Sequence, residues 1–236
     1  MTSPFLTNLE SPRRLRVGVI GCGGHTYRNI FPCFAFAPVE LMALCDLDED
    51  RARGCARIYG GAAVYTDYRT MLERETLDAV FVVTPPDENG LPRYPAIALD
   101  AMRAGVHVWI EKPPAASTEE IRAMQETSAQ TEKFVGVGFK KMFALANVKA
   151  RELCEGAEFG RVTSISARYP QEMPALNERS DSRKMASFLD HIVHPLSVLR
   201  LFGGDIKSLS FSRCAYNGAS VSTLHFSVVV KIDRLG

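Results

Sequence analysis

The chain has 236 residues, room for one large domain or two small ones. Hydrophobic residues make up 46% and charged residues 23%, the balance of a soluble globular protein. Lys+Arg (28) nearly cancel Asp+Glu (27), so a net charge of +1 leaves no basic footprint for nucleic acid. No apolar run is long enough to span a membrane.

Residues 1–12 are polar and punctuated by proline, and read as a loose tail. Arg13-Arg14 could open a twin-arginine export signal. The apolar run that follows, VGVIG, is short, meets glycines and has no small-residue cleavage site after it, so no export is expected. LRVGVIG (15–21) is a β-branched run that ends in glycine, and a helix is expected around 25–36. VELMALCD (39–46) is a second strand that ends in an acid. DEDRARGCARIYGG (48–61) is a helix with an acidic start and a glycine stop. AVYTDY leads into TMLERE, a short helix. LDAVFVVTPP (77–86) is the most apolar strand and is closed by prolines. YPAIALDAMRAG (94–105) is a helix stopped by Gly105. HVWIEKP follows as a strand, and STEEIRAMQETSAQTEK (117–133) opens with the capping box Ser117 to Glu120.

Strands alternating with helices of this length predict βαβ units and a parallel sheet, and strands apolar nearly throughout predict helices on both faces. After residue 133 the pattern changes. FVGVGF (134–139) is a strand, NVKARELCEG a helix, and RVTSISARY (161–169) alternates like a half-exposed strand. Residues 170–184 read as loop, ASFLDHIVHPLSVLRLFGG as helix, and IKSLSFSR and VSTLHFSVVVKID as strands. The expected architecture is α/β. A Rossmann-type doubly wound parallel sheet (1–133) precedes an incomplete α+β substrate and oligomerisation domain (134–236) with an open, mostly antiparallel sheet.

The six cysteines (22, 33, 45, 55, 154 and 214) form no metal-ligand spacing. They are read as reduced thiols of a cytoplasmic protein. Cys22, inside the glycine-rich loop, is either accessible or a small core residue.

Gly21-Cys22-Gly23-Gly24-His25-Thr26 follows a strand and opens a helix. Gly21 permits a tight turn, Gly23 lets backbone approach a pyrophosphate, and Gly24 and His25 lead into a helix N-terminus that favours negative charge. The third glycine of G-x-G-x-x-G falls at Thr26, a departure expected to loosen helix–strand packing. Asp46 ends the second strand 23 positions beyond Gly23, where an acid binds ribose hydroxyls. A carboxylate there repels a 2′-phosphate and points to NAD before NADP.

Glu111 and Lys112 end an apolar strand and are followed by Pro113 and Pro114. A cation at the carboxyl edge of a parallel sheet stands where open α/β folds bind ligands, and can stabilise a developing alkoxide. Asp190 and His194 are four apart on a helix and share a face. A carboxylate beside an imidazole holds its orientation and raises its basicity, which suits a general base. His191 is the competing histidine. Pro195 is expected to free the carbonyl of His191 and kink the helix.

GCGG after the first strand, Asp46, YTDY (65–68), Thr84-Pro85, HVWIEKP and LDHIVH together resemble the Gfo/Idh/MocA oxidoreductases, the family of glucose–fructose oxidoreductase and inositol dehydrogenase. The resemblance runs from about Leu15 to Gly204. It implies a coenzyme site that includes Thr84, Pro85, Glu111 and Lys112, with Lys112 near the nicotinamide and touching the substrate hydroxyl. It also implies a cis Lys112–Pro113 bond. Asp190 and His194 inherit the family's D-x-G-x-H pair, Lys141 a basic substrate contact, and Tyr94 the place of a histidine after Thr84-Pro85. Ile192 replaces the motif's glycine, and Ser197 replaces an acid found three residues after the histidine.

Family members are usually longer, so the second domain is expected to be short, with an open edge that favours a homo-oligomer through its sheet. The expected activity is hydride transfer between a nicotinamide coenzyme and a hydroxyl or keto carbon of a sugar, cyclitol or similar polyol. The alternatives are a non-catalytic nucleotide-binding sensor or regulator on the same fold, and an inactive truncated family member. No metal, nucleic acid or membrane partner is expected.

Overall fold

The computed structural model describes residues 13–61, 63–160, 162–167, 169, 174–204, 210–214 and 223–227. It divides into two compact units, Met1–Gly138 and Phe139–Gly236.

The first unit is built on six strands: β1 (Leu15–Ile20), β2 (Val39–Cys45), β3 (Ala63–Tyr65), β4 (Ala79–Val82), β5 (His107–Ile110) and β6 (Val135–Val137). All neighbours pair in parallel, in the order β3-β2-β1-β4-β5-β6. The expected parallel sheet is therefore present, and the strand expected at 134–139 is its sixth member. Strand order reverses between β1 and β4, the switch point at which such sheets open a crevice for ligands.

The two-residue period of the strands divides the core in two. Ile20, Cys45, Val82 and Ile110 face one side. There they meet Met71 of α2 (Tyr68–Arg74), Ile97 and Met102 of α3 (Tyr94–Arg103) and Met124 of α4 (Thr118–Thr131). Val19 and Leu44 face the other side, against Phe31 and against Ala52 and Cys55 of α1 (Glu49–Tyr59). Helices cover both faces, as apolar strands require.

Local chemistry starts these helices. The Asp48 side chain caps α1 by accepting Arg51 N, and Asp67 caps α2. At α4 the capping box is formed in full between Ser117 and Glu120. The segment after the glycine-rich loop departs from a regular α-helix. It is a π-helical turn, Thr26–Ile30, followed by a 3-10 helix, Phe31–Phe36.

In the second unit a 3-10 turn, Lys140–Phe143, leads to α5 (Leu145–Glu155) and then to α6 (Ser182–Gly203). The Asp181 side chain accepts Arg183 N and starts α6. Contrary to the interruption expected at Pro195, α6 is one continuous helix through that residue. Residues 162–167 and 169 of the expected strand 161–169 have irregular backbone. An alternating run becomes a strand only where a neighbour takes its hydrogen bonds, and no described residue pairs with it. β7 (Ser210–Cys214) and β8 (Thr223–Ser227) pair antiparallel. The rest of the wider antiparallel sheet, like the N-terminal tail, falls outside the described residues. No helix among the described residues is long and apolar enough to cross a membrane.

Candidate functional site

Gly21 begins the site with φ +97°, a conformation that L side chains rarely adopt. A Cβ there would collide with the carbonyl of Val83, so only glycine lets the turn after β1 pass against the end of β4. Around Gly23 the reverse holds, since a Cβ would meet nothing within 4 Å. A pyrophosphate can therefore approach that backbone without meeting a side chain. Gly24 lies next to it, its carbonyl accepting Arg28 Nε at 3.1 Å.

Two loop side chains turn inward. Thr26 is fully buried, and its hydroxyl donates to the Gly21 carbonyl at 2.6 Å. The departure at the third glycine position thus fastens the turn instead of loosening it. Cys22 is 2% exposed and belongs to the core. Burial, reinforced by the negative charge available on Cys55 and Asp46, pushes its thiol far above the usual range. Burial first, then Asp67 and Asp46, pushes Cys45 up to about 12. Neither is a reactive thiolate. The described cysteines Cys22, Cys33, Cys45, Cys55 and Cys154 are free.

Asp46 sits at the tip of β2 with 8% exposure. Its Oδ2 accepts the Cys22 amide at 2.7 Å, and its Oδ1 accepts Asp48 N at 3.0 Å and Arg51 Nη1 at 3.1 Å. The acid is thereby joined both to the glycine-rich loop and to the start of α1. The Arg51 contact was not foreseen. Its signal was the helix cap, because a residue three beyond the Asp48 cap lies over the helix N-terminus, back towards the strand end.

At the end of β5, Glu111 is 9% exposed. Its Oε1 lies 2.9 Å from His25 Nε2, and its Oε2 accepts Lys112 N at 3.1 Å. Asn29 Nδ2 stands 3.2 Å from His25 Nδ1. With the Asn29 amide donating to Nδ1, Nε2 carries the proton and donates to the carboxylate. The Lys112–Pro113 bond is cis, as expected. Thr84, just beyond β4, has a buried hydroxyl with no hydrogen-bond partner among the described residues, and Pro85 beside it is exposed. Tyr94, expected as a substrate contact, lies at the foot of the loop that follows Thr84-Pro85. It is 8% exposed in the core, and its hydroxyl donates to the Thr84 carbonyl at 3.3 Å, closing the base of the 84–94 loop.

The carboxyl edge of the parallel sheet thus gathers Gly21, Gly23, Gly24, His25, Asp46, Thr84, Pro85, Glu111 and Lys112. Asp190, His194 and Lys141 belong to the second unit. On α6, His194 is 4% exposed, and its carbonyl accepts the Ser197 hydroxyl at 2.7 Å. The Tyr169 ring lies 6.1 Å from that of His194. Asp190 Oδ2 stands 3.9 Å from His191 Nδ1, which itself lies 2.7 Å from the Ser187 carbonyl. His191 is thus engaged with its own helix. Lys141 is exposed, and its carbonyl accepts Asn147 Nδ2 at 2.7 Å. The described residues contain no cluster of His, Cys, Asp or Glu able to hold a metal ion.

Residues 15–139 match the Gfo/Idh/MocA family, described as an oxidoreductase family with an NAD-binding Rossmann fold. A dTDP-3,4-didehydro-2,6-dideoxy-alpha-D-glucose 3-reductase of Streptomyces violaceoruber is 29% identical over 199 residues, 83% of this chain and 56% of that protein. A D-glucoside 3-dehydrogenase of Escherichia coli (strain K12) is 33% identical over 156 residues, 65% of this chain and 43% of that protein. Among solved structures, a dehydrogenase from Chromobacterium violaceum superposes with TM-score 0.71 at 27% identity, over 86% of this chain and 59% of that one. The chain spans about half the length of the curated relatives it matches.

Proposed function

We propose, from the premise that the chain belongs to the Gfo/Idh/MocA oxidoreductase family, that the protein interconverts a hydroxyl and a keto carbon on a sugar, cyclitol or similar polyol. The coenzyme is a nicotinamide dinucleotide, NAD in preference to NADP. The observation that carries this reading is the Glu111 carboxylate. It joins the glycine-rich loop, through His25, to the backbone of Lys112.

The residues present fit the coenzyme. Space over Gly23 and the backbone of Gly21, Gly24 and His25 suit a pyrophosphate, and Asp46 suits a ribose. The Thr84 hydroxyl, without a hydrogen-bond partner among the described residues, forms the other end of the cradle with Pro85, Glu111 and Lys112. When bound, the coenzyme supplies the acceptor or donor of two electrons. The protein's part is proton and charge management. The Lys112 ammonium stabilises negative charge on the substrate oxygen. His194 takes the hydroxyl proton, oriented by Asp190 on the same helix face. Lys141 is a further substrate contact, and Tyr94 shapes the loop nearest the substrate. Ile192 and Ser197 stand at places where the family carries glycine and an acid, so the polyol is to be identified by screening.

The free thiols fit a cytoplasmic location, and we infer a homo-oligomer joined through the sheet of the second half, testable by sedimentation.

Calorimetric titration with NAD and NADP is the first test, followed by a polyol dehydrogenase screen. Lys112→Ala is expected to retain NAD binding and lose turnover by about a hundredfold or more. Turnover at the wild-type rate would refute the assigned role. Tight NAD binding with no turnover on any polyol would favour the sensor reading.

A further inference from the structure

The G-x-G-x-x-G pattern leaves position 25 open, so the imidazole of His25 is this chain's own addition to the turn. The ring stands between two partners. Its Nε2 lies 2.9 Å from Glu111 Oε1, and its Nδ1 lies 3.2 Å from Nδ2 of Asn29, four residues further along the same turn. The Glu111 side chain is 12% exposed and that of His25 45%, so the carboxylate is largely out of water while the ring is half in it. A carboxylate so placed depends on the donors that reach it. Oε1 has the His25 ring, and Oε2 has the Lys112 amide at 3.1 Å. Gly138 keeps this side clear, since a Cβ there would collide with the Trp109 indole at 2.8 Å and lie 3.4 Å from Oε2.

Backbone serves Oε2, and a side chain serves Oε1. What happens at Oε1 turns on one proton. A neutral imidazole donates from one nitrogen and accepts at the other. As the Nε2–H tautomer, His25 donates to Glu111 and accepts the Asn29 amide. As the Nδ1–H tautomer, it would turn a lone pair towards the carboxylate and a hydrogen towards the Asn29 amide, and both contacts would repel. The partner at one ring nitrogen thus selects what the other can do.

We propose that His25 is a positioning residue: as the Nε2–H tautomer selected by Asn29, it keeps the Glu111 carboxylate turned to the Lys112 amide and so fixes where Lys112 stands. This rests on the functional reading above and deepens it. Without the His25 donor, Oε1 is left charged in a dry place, and the carboxylate swings out to water. The Lys112 amide then loses its acceptor, and the backbone gains freedom at the residue that meets the substrate oxygen. Dinucleotide binding rests on loop backbone and changes little. Turnover rests on alignment and changes more.

The first test needs neither coenzyme nor substrate. A two-bond proton–nitrogen NMR spectrum of the isotope-labelled chain at about pH 8 locates the proton on each imidazole, and the signals lost in His25→Gln identify those of His25. The Nε2–H tautomer is expected. An Nδ1–H tautomer or an imidazolium overturns the proposal, since neither leaves Nδ1 a lone pair for the Asn29 amide. The second test measures kcat and KM on the polyol that screening provides. His25→Leu keeps bulk and removes the donor. It is expected to lower kcat by about tenfold or more, with KM for NAD and for the polyol within about threefold of wild type. His25→Gln puts an amide N–H close to the place of Nε2 and is expected to bring kcat back to within about threefold of wild type. Tyr59→Phe is the control: it frees the Tyr27 carbonyl on the same turn, a 3.0 Å contact, without touching His25, and should leave kcat unchanged. Equal losses in folded His25→Leu and His25→Gln proteins overturn the proposal. So does an undiminished kcat in His25→Leu, or a loss as large in Tyr59→Phe. A wild type that binds no NAD and turns over no polyol brings down the functional reading itself, a result distinct from variants that turn over alike.

Discussion

Replacing Thr26 by glycine would complete a G-x-G-x-x-G pattern, and it is expected to destabilise the first unit. Thr26 is fully buried, and its hydroxyl donates to the Gly21 carbonyl at 2.6 Å. Thr26→Val keeps the shape and removes that bond, leaving a buried acceptor against a methyl group, which costs about 1–3 kcal/mol. Thr26→Gly also removes a buried methyl, worth about 0.8 kcal/mol. The added chain freedom costs roughly another 0.5–1 kcal/mol. The total is about 3 kcal/mol, a large share of the ~5–15 kcal/mol that holds a typical domain together. Trp109 is the one tryptophan of the chain and lies in β5, so its fluorescence during urea unfolding reports on the first unit. With a urea slope of about 2 kcal/mol per molar, the midpoint should fall by about 1.5 M for glycine and about 0.5–1.5 M for valine. A Thr26→Gly protein as stable as wild type would refute the view that this hydroxyl fastens the turn.

Three further outcomes are expected. The Arg16 amide donates to Asp78 Oδ2 at 2.7 Å and, with the Arg16 and Arg13 guanidiniums, holds this carboxyl below its usual range. A depressed folded value stabilises the protein above the unfolded value of about 3.9 and is lost as pH falls through the lower folded value. The stability gap between wild type and Asp78→Asn should therefore be flat from about pH 8 to 5 and close below about pH 4; a gap independent of pH would contradict this. A thiol reagent should modify exposed Cys33 in the folded protein and reach Cys22, Cys45 and Cys55 only in urea, as peptide mapping would show; early labelling of Cys22 would count against the buried assignment. Glu111→Gln and His25→Ala share one 2.9 Å contact, so each should cost about 1 kcal/mol and the pair little more than either alone; additive losses would show the contact to be energetically idle.

The parallel half was legible because its signals are local. Val17, Val19 and Leu44 sit in unbroken apolar runs, Ser117 and Glu120 form the cap their spacing implies, and Gly21 and Asp46 stand at strand ends. Three things escaped for the same reason: they depend on which way a side chain turns. Thr26 read as a missing glycine, because a pattern records the absence of a Cβ and not a hydroxyl that can bond in its place. The burial of Tyr94 was not legible either, because no spacing tells that its ring packs into the core while its hydroxyl meets the Thr84 carbonyl. Arg51 reaches back over a turn to a strand tip, and no periodicity within one element expresses that. In the second half the alternation of 161–169 was legible, but a strand also needs a partner, and that is not a property of the segment. The placement of Lys112 at a strand end was readable, whereas the division of Glu111 between two bonds was not.

β4 lies between β1 and β5 in the sheet, so the contact from Glu111 to His25 spans the mouth above β4 like a strap. One carboxylate positions the turn after β1 and the backbone of Lys112 together. Whatever seats itself against the glycine-rich loop and shifts His25 also presses on the anchor of the lysine, and a change at Lys112 is felt in return by the loop. Occupancy at one end of the cradle and alignment at the other become a single adjustment, transmitted through a few ångströms of side chain with no hinge required.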